Sequence, residues 1–552
     1  MTGDAMDETT NQPAGDNTPR QPLGATWESE TRPSLQRPGR WRELFAVGAL
    51  GVLANGLAFH GGWMGTAVLL VAAVPLLAIA TPRAMSIHPA ERAGWPHRAF
   101  VLLLIAAVAV RMAWLGTIPL ALASVVVAAA VALTLAGRRP FLLDAVLATL
   151  LSLISSLLAL FWFRNLLRSE TDDTPPTASA TDARPASWRL PTVAGVVFAA
   201  IFIMANPDLK TLVYESLERF STSLGDVVAR IVPGPDDIIV TLFVAAIALG
   251  LARPIVQRSL LSDAKSAAAS EPRPAALFGE FRNTLVVVTG LFAVYLVFEF
   301  ATLWRREFPP GFYYAGYAHA GAAWLTGALA LASGLLSAMF RGRTLDDPRL
   351  PTLKRLAYVW SAENLLLAAA VVNRLLIYVD FNGLSPMRMV GFLGIAAVVG
   401  GLLLVVVKIA RHHSLVWLLR RDLWTVSLAG LAYLVLPIDW IVHSYNAARI
   451  AEGDLAPSVQ LSVQPMDAGG LLAIVPLLDH DDERITDGVA AMLSTAEANL
   501  DDADPDWRRR QLAVETLRDR LKSTKPKWDR FFGENAIRSA RDRFDAFTYQ
   551  WY

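Results

Sequence analysis

Apolar runs of about 18 residues or more recur along this chain, each long enough to cross roughly 30 Å of hydrocarbon at 1.5 Å per residue. That recurrence limits the fold more than any other feature. The chain is 54% apolar and 18% charged, with a mean hydropathy of +0.39. A soluble surface needs more charge than this. The fold class expected is all-α: a polytopic membrane bundle of about 11–12 spans with a small C-terminal soluble helical domain. The formal net charge is +1, so no bulk field argues for nucleic acid. The chain has no cysteine, which removes disulfides, thiolate catalysis and Cys-ligated metals together.

The organisation expected follows the apolar runs and the polar stretches between them. Residues 1–40 are polar and rich in Pro, Thr and Asp. They lack the basic, apolar and small-residue pattern of a signal peptide and read as a disordered tail. A first helix group covers 41–163, with spans at 42–59, 63–80, 99–115, 117–136 and 140–163. A linker at 164–189 precedes a second group at 190–258, with spans at 190–205 and 237–256. Between those two spans, Leu212, Leu217, Phe220, Leu224 and Val228 recur at helical spacing and predict an amphipathic helix. A second linker covers 259–279. The third group covers 280–443, with spans at 281–303, 319–340, 355–379, 386–410 and 422–443. The soluble helical domain is 444–552. Asp504-Pro505-Asp506 reads as a helix start, with Trp507, Val514, Leu517 and Leu521 on one face. A final helix after Pro526 carries Trp528, Phe531, Phe532, Phe544, Phe547 and Trp551 among several arginines, expected as core residues of that domain, with docking on the membrane surface as the alternative.

Basic residues near span ends set orientation. Arg32, Arg37, Arg40 and Arg42 put the N-terminus in the cytoplasm, together with Arg83, Arg92, Arg98, Arg138 and Arg139. In the last group Arg341, Arg343, Lys354, Arg355, Lys408, Arg411, Arg420 and Arg421 also ask for the cytoplasm. A twelve-span count would put them outside. An odd count would remove the conflict and place the C-terminal domain outside.

A charge at the bilayer centre costs a few kcal/mol, so each one needs a reason. They concentrate in the third group. Glu299 follows Tyr295 by one turn on the same face. His319 opens the next span, and Glu363 and Asn364 interrupt the one after it. Arg374 follows Glu363 by eleven residues, about 1100° of rotation, so the two face the same way but lie about 16 Å apart. Each needs a partner on another helix, or water. Asp380 and Arg388 flank an expected turn at "FNGLSP", and Asp439 and His443 share a face after Pro437. The candidate intramembrane polar cluster is therefore Glu299, His319, Glu363, Arg374, Arg388, Asp439 and His443, with helix-fixing ion pairs as its first expected role. The plainer alternative has Arg374 snorkelling to the interface beside a solvated turn. Arg111 and Asp144 are also expected to snorkel.

Three stretches carry a family resemblance. "YAHAGAAWL" supplies Tyr317, Ala318, Gly321 and Leu325, with His319 where the pattern has Arg. Arg374, Tyr378, Gly383, Leu384, Ser385 and Arg388 form a second pattern, and Asp439, Tyr445 and Asn446 a third. In their order these resemble an uncharacterised family of bacterial multi-pass membrane proteins, domain of unknown function 4173, over roughly 280–500. The resemblance implies a membrane location, a helical tail and no known activity.

Classical chemistry has little support. There is no glycine-rich phosphate loop, no His-Glu-x-x-His and no serine nucleophile elbow. "HDDE" at His480–Glu483 reads as a solvated turn, and the adjacent His412 and His413 point apart on a helix. The chain is expected not to be an enzyme and to need no cofactor and no metal. The first function expected is a membrane scaffold or sensor that presents the C-terminal domain to a protein partner. A transporter using the polar cluster is the alternative. A membrane-embedded transferase is a third. The partners expected are the lipid bilayer and a protein at the C-terminal domain, with no nucleic acid. The location expected is a bacterial inner membrane.

Overall fold

A computed structural model describes residues 35–36, 40–81, 83–84, 92–152, 235–252, 278–302, 314–340, 344–345, 347–500, 504–531 and 533–551. The amphipathic helix and the spans expected at 190–205 and at the end of 140–163 lie outside them. The described residues are almost wholly helical, with one two-residue antiparallel pairing of β1 (Leu35–Gln36) and β2 (Arg83–Ala84).

In chain order the helices are α1 (Arg40–Leu53), continued by a wider turn at Ala54–Phe59, α2 (Trp63–Ala80), α3 (Trp95–Leu115), α4 (Ile118–Leu135), α5 (Leu142–Leu150) and α6 (Pro235–Ala252). The next group is α7 (Phe278–Thr302), α8 (Tyr314–Met339), α9 (Leu350–Asn382), α10 (Pro386–Arg411) and α11 (Leu415–Val435). The C-terminal part comprises α12 (Ile438–Ala451), α13 (Ser458–Val463), α14 (Ala468–Ile474) with a tighter turn to Asp479, α15 (Glu483–Ala498), α16 (Leu512–Trp528) and α17 (Glu534–Thr548). Among the described residues seven helices are long and apolar enough to cross a membrane. An eighth counts if α11 and α12, bent by 66° at Pro437, form one broken span. The continuous span expected at 422–443 is thus two helices. Pro437 removes a backbone donor and bends the path there.

Two large membrane cores stand out among the described residues. Leu70, Leu77, Ile105, Met112, Leu120 and Ala130 centre the first, where α1 to α4 and α6 pack. Leu285, Leu336, Leu353, Trp360, Leu402 and Ile409 centre the second, made by α7 to α10. The outer faces carry exposed Val110, Leu122, Val287, Val294 and Leu331, as lipid contact requires. A third core, built from Ile450, Leu461, Ile474, Val489, Leu493, Leu517, Leu521, Trp528 and Phe544, belongs to the C-terminal part. Trp528 and Phe544 are core residues, and Phe531 and Phe547 pack against that core.

Two helix boundaries depart from expectation. Asp506 caps only a short tight turn, Trp507–Arg509, and Trp507 stays exposed. Pro526 lies inside α16, and the last helix starts at Glu534. Pro526 has no N–H for the Lys522 carbonyl and its ring crowds that turn, and α16 ends two residues later at Trp528.

The helices also sort by end. At one end, Arg92 pairs through its backbone with Arg138, and Arg139 Nε donates to the Arg92 carbonyl at 3.3 Å. Trp424 Nε1 donates to Pro140 O at 2.8 Å, the Arg420 guanidinium covers the Phe141 ring at 4.2 Å, and Lys354 meets His412 at 2.9 Å. The basic loops of both halves therefore gather at the same end of the bundle. The C-terminal part is docked at the other end. This arrangement removes the conflict between the two halves that the twelve-span count created.

Candidate functional site

A buried ion pair joins α7 to α9. Glu299 is fully buried and Arg374 nearly so. Arg374 Nε donates to Glu299 Oε1 at 2.7 Å and Nη2 to Oε2 at 2.5 Å, a two-pronged pair. Tyr295 Oη donates to Glu299 Oε2 at 3.0 Å and accepts from Arg374 Nη2 at 3.1 Å. The fork geometry of arginine makes such pairing strong where water is excluded. Residues on two helices thus cancel each other's charge at a depth where either alone would be costly.

Of the remaining members of the expected cluster whose side chains are described, Glu363 makes no hydrogen bond to this pair, and Arg388, Asp439 and His443 lie at other contacts. Glu363 is half-buried on α9, and its buried Oε2 has no hydrogen-bond partner among the described residues. The side chain of His319 lies outside the described residues. Asn364 is buried and donates to Trp360 O at 2.7 Å, within its own helix.

Arg388 serves the turn between α9 and α10. Its guanidinium stacks 3.8 Å over the Tyr378 ring and donates to Gly383 O. Ser385 caps α10 by accepting from Arg388 N at 3.3 Å. Gly383 has φ of +79°, and a Cβ there would meet Asn446 Oδ1 at 2.6 Å. Both facts require glycine. The freed space admits a clasp: Leu384 N donates to Asn446 Oδ1 at 2.7 Å, and Asn446 Nδ2 donates to Leu384 O at 2.8 Å. The second and third sequence patterns, 62 residues apart, therefore meet through one amide.

Around this clasp the C-terminal part satisfies the end of α9. Arg449 donates to Val379 O at 2.8 Å and Asp380 O at 2.7 Å, and Gln460 Nε2 to Asn382 O at 2.9 Å. Asn382 Nδ2 in turn donates to Trp551 O at 2.5 Å. A helix end leaves its last carbonyls without intrahelical donors, so these side chains supply what solvent otherwise would. Contacts to the first helix group complete the docking. Arg508 Nη1 donates to Gly56 O at 2.7 Å, and Gly116 N donates to Gln511 Oε1 at 3.1 Å.

A second polar group lies at the same junction. Asp439 Oδ2 accepts from Asp467 N at 2.9 Å, and Asp467 Oδ1 accepts from Gly470 N at 2.9 Å to cap α14. Arg111 is buried rather than snorkelling: it donates to Leu115 O at 2.9 Å and lies 3.8 Å from Asp467 Oδ2. His443 is fully buried beneath Gly470, and neither ring nitrogen has a hydrogen-bond partner among the described residues. Burial pushes the Asp467 carboxyl above its ordinary value, and the Gly470 N–H and the Arg111 charge pull against that. Asp439 and His443 thus belong to the domain junction and not to the Glu299–Arg374 pair.

Three contributors were not signalled as site residues. Asp467 stands before Ala-Gly-Gly, the pattern of a capping residue. Arg449 gave no signal beyond a basic residue near a helix end. Lys408 read as a loop charge, yet it is buried and its Nζ donates to Ser337 O and Phe340 O at 2.8 and 2.9 Å, closing the end of α8. His480 spends both ring nitrogens on backbone, at Ile450 O and Asp482 N.

Among known proteins, the family described as Domain of unknown function (DUF4153) matches residues 99–468, about two thirds of the chain. No curated protein and no solved structure matches it. The number read from the motifs, 4173, is not the one that matches. What stands from that reading is a family without an assigned activity. The matched stretch begins in α3 and ends at the Asp467 cap, so it holds the ion pair, the clasp and the junction group. Most of the C-terminal part lies beyond it.

Proposed function

The chain belongs to the Domain of unknown function (DUF4153) family, and from that premise we propose that it is a scaffold or sensor of a bacterial cytoplasmic membrane. In this reading the multi-pass bundle holds the C-terminal helical domain at a fixed attitude for a protein partner. The N-terminus and the basic loops face the cytoplasm, and the C-terminal domain stands on the opposite face.

One observation carries the reading. The C-terminal domain is bonded to the ends of both helix groups, at Gly56, Gly116, Val379, Asp380, Asn382 and Leu384. A part held at so many separate points has its orientation set by the bundle. The Glu299–Arg374 pair supports the same view, because two charges that neutralise each other fix packing better than they carry a solute.

The absence of cysteine makes the test direct. Lys522→Cys lies on the domain and Arg411→Cys on the basic end, both at exposed positions. An impermeant maleimide applied to intact cells is expected to label Lys522→Cys, and to label Arg411→Cys only after permeabilisation. The reverse pattern overturns the orientation. For the role itself, photo-crosslinkers at Lys522 and Arg538 are expected to yield a discrete adduct in cells. Reconstituted protein whose proton or solute flux disappears in Glu299→Gln at unchanged expression refutes the scaffold and supports a transporter.

A further inference from the structure

The exposed large apolar residues of the C-terminal domain are not scattered. They are Tyr445, Val463, Trp507, Leu512 and Tyr549, and Tyr549 is 72% exposed. Each lies within three residues of a side chain or carbonyl bonded to the end of a membrane helix. Tyr445 adjoins Asn446, which clasps Leu384. Val463 follows Gln460, which donates to Asn382 O. Trp507 adjoins Arg508, which reaches Gly56 O. Leu512 adjoins Gln511, which accepts from Gly116 N. Tyr549 precedes Trp551, whose carbonyl accepts from Asn382.

The rest of the domain surface is of the opposite kind. Among the described residues no large apolar side chain is exposed between 464 and 506, or between 513 and 548. Lys522, Lys525, Asp529, Glu534, Arg538 and Asp542 are exposed there instead. Single exposed apolar residues need no explanation, but confinement of five to one level does.

That level is set by the helix ends. The lipid-facing surface of the spans runs into it through Phe59, Ile118, Met387 and Trp440, all exposed. Tyrosine and tryptophan favour the headgroup region, where a ring can be apolar on its body and wet at its tip. Arg508, Arg509 and Arg510 follow Trp507 directly, and long basic side chains suit the same zone.

We propose that this collar is a lipid-contact surface, so that the base of the C-terminal domain sits in the headgroup layer of the bilayer rather than in water. The occupant is phospholipid headgroup and upper acyl chain, continuous with the lipid around the spans. The residues differ from the aromatic set of the final helix, whose largest members are spent on the domain's own core. The inference does not depend on the scaffold role or on which face of the membrane the domain occupies.

Single cysteines at Tyr445, Val463, Trp507, Leu512 and Tyr549, with controls at Lys522 and Arg538, can carry nitroxide labels in phospholipid nanodiscs. Collision rates with oxygen, which concentrates in lipid, and with a water-soluble nickel chelate report depth. Collar labels are expected to favour oxygen over the chelate severalfold more than the controls do. Equal ratios at collar and control sites place the collar in bulk water and overturn the proposal. Protection from both reagents, with dipolar broadening between labels on separate chains, assigns the collar to a second copy and also overturns it. Measuring five sites separately keeps the result readable if one variant fails to fold.

Discussion

Replacing Glu299 with leucine is the sharpest test of what holds the second helix group together. The substitution deletes both prongs of the pair, at 2.7 and 2.5 Å, and the acceptor of the Tyr295 hydroxyl. Arg374, 3% exposed, then keeps its charge without its carboxylate. Two unit charges about 4 Å apart attract by roughly 4 kcal/mol at an effective dielectric near 20. Breaking one partner of a buried pair costs about 3–5 kcal/mol. At about 1.4 kcal/mol per tenfold, the folded-to-unfolded ratio falls by roughly two to four orders of magnitude. Replacing both partners removes the pair without stranding a charge, so Glu299→Leu with Arg374→Met is expected to regain most of that loss. Equilibrium unfolding by sodium dodecyl sulfate in mixed micelles, read by a fluorophore pair on two introduced cysteines, gives all four corners of the cycle. A coupling of at least about 2 kcal/mol is expected. If the single losses add to the double loss, the pair carries no coupling and the account of α7–α9 packing fails.

Three further outcomes follow from the junction. Asn446→Leu removes both bonds to Leu384, and limited proteolysis is expected to release the C-terminal domain at least tenfold faster, from a loss of about 2 kcal/mol or more. Gly383→Ala is expected to be as damaging, because the new Cβ needs the Asn446 oxygen's place and a left-handed backbone, costing about 1–3 kcal/mol. Asp467 has a carboxyl raised by burial, so its folded form binds protons more readily than its unfolded form. Stability from this group is therefore present at acid pH and declines as pH rises from the ordinary carboxyl value through the raised one. Thermal melts across that window are expected to show the decline in the natural protein and a flatter profile in Asp467→Asn, which keeps the cap to Gly470.

How much of this was readable in advance varies by feature. The turn at Gly383 to Pro386 was legible, because glycine, proline and a capping serine act through local backbone rules. Arg374 was legible as a charge in need of a partner, and its phase on α9 was set by the helix repeat. Its partner was not. Glu363 shares its face but is on the same helix, and Glu299 wins because α7 brings it alongside. Arg111 was misjudged for a related reason: proximity to a span end permits snorkelling only if water waits there, and the C-terminal domain covers that end instead.

The sequence by itself determined that the chain crosses a bilayer as helices, since span length and apolarity are summed over neighbouring residues. It also pointed to Leu517, Leu521, Trp528 and Phe544 as core residues of the C-terminal part, through apolar spacing along α16 and α17. Only the tertiary structure decided which charges meet, that the motif at Asn446 closes on the one at Leu384, and that the basic loops of both halves share an end opposite the domain. Those outcomes depend on how separate helices pack, and packing between helices in lipid rests on shape and a few polar contacts rather than on any pattern within one segment.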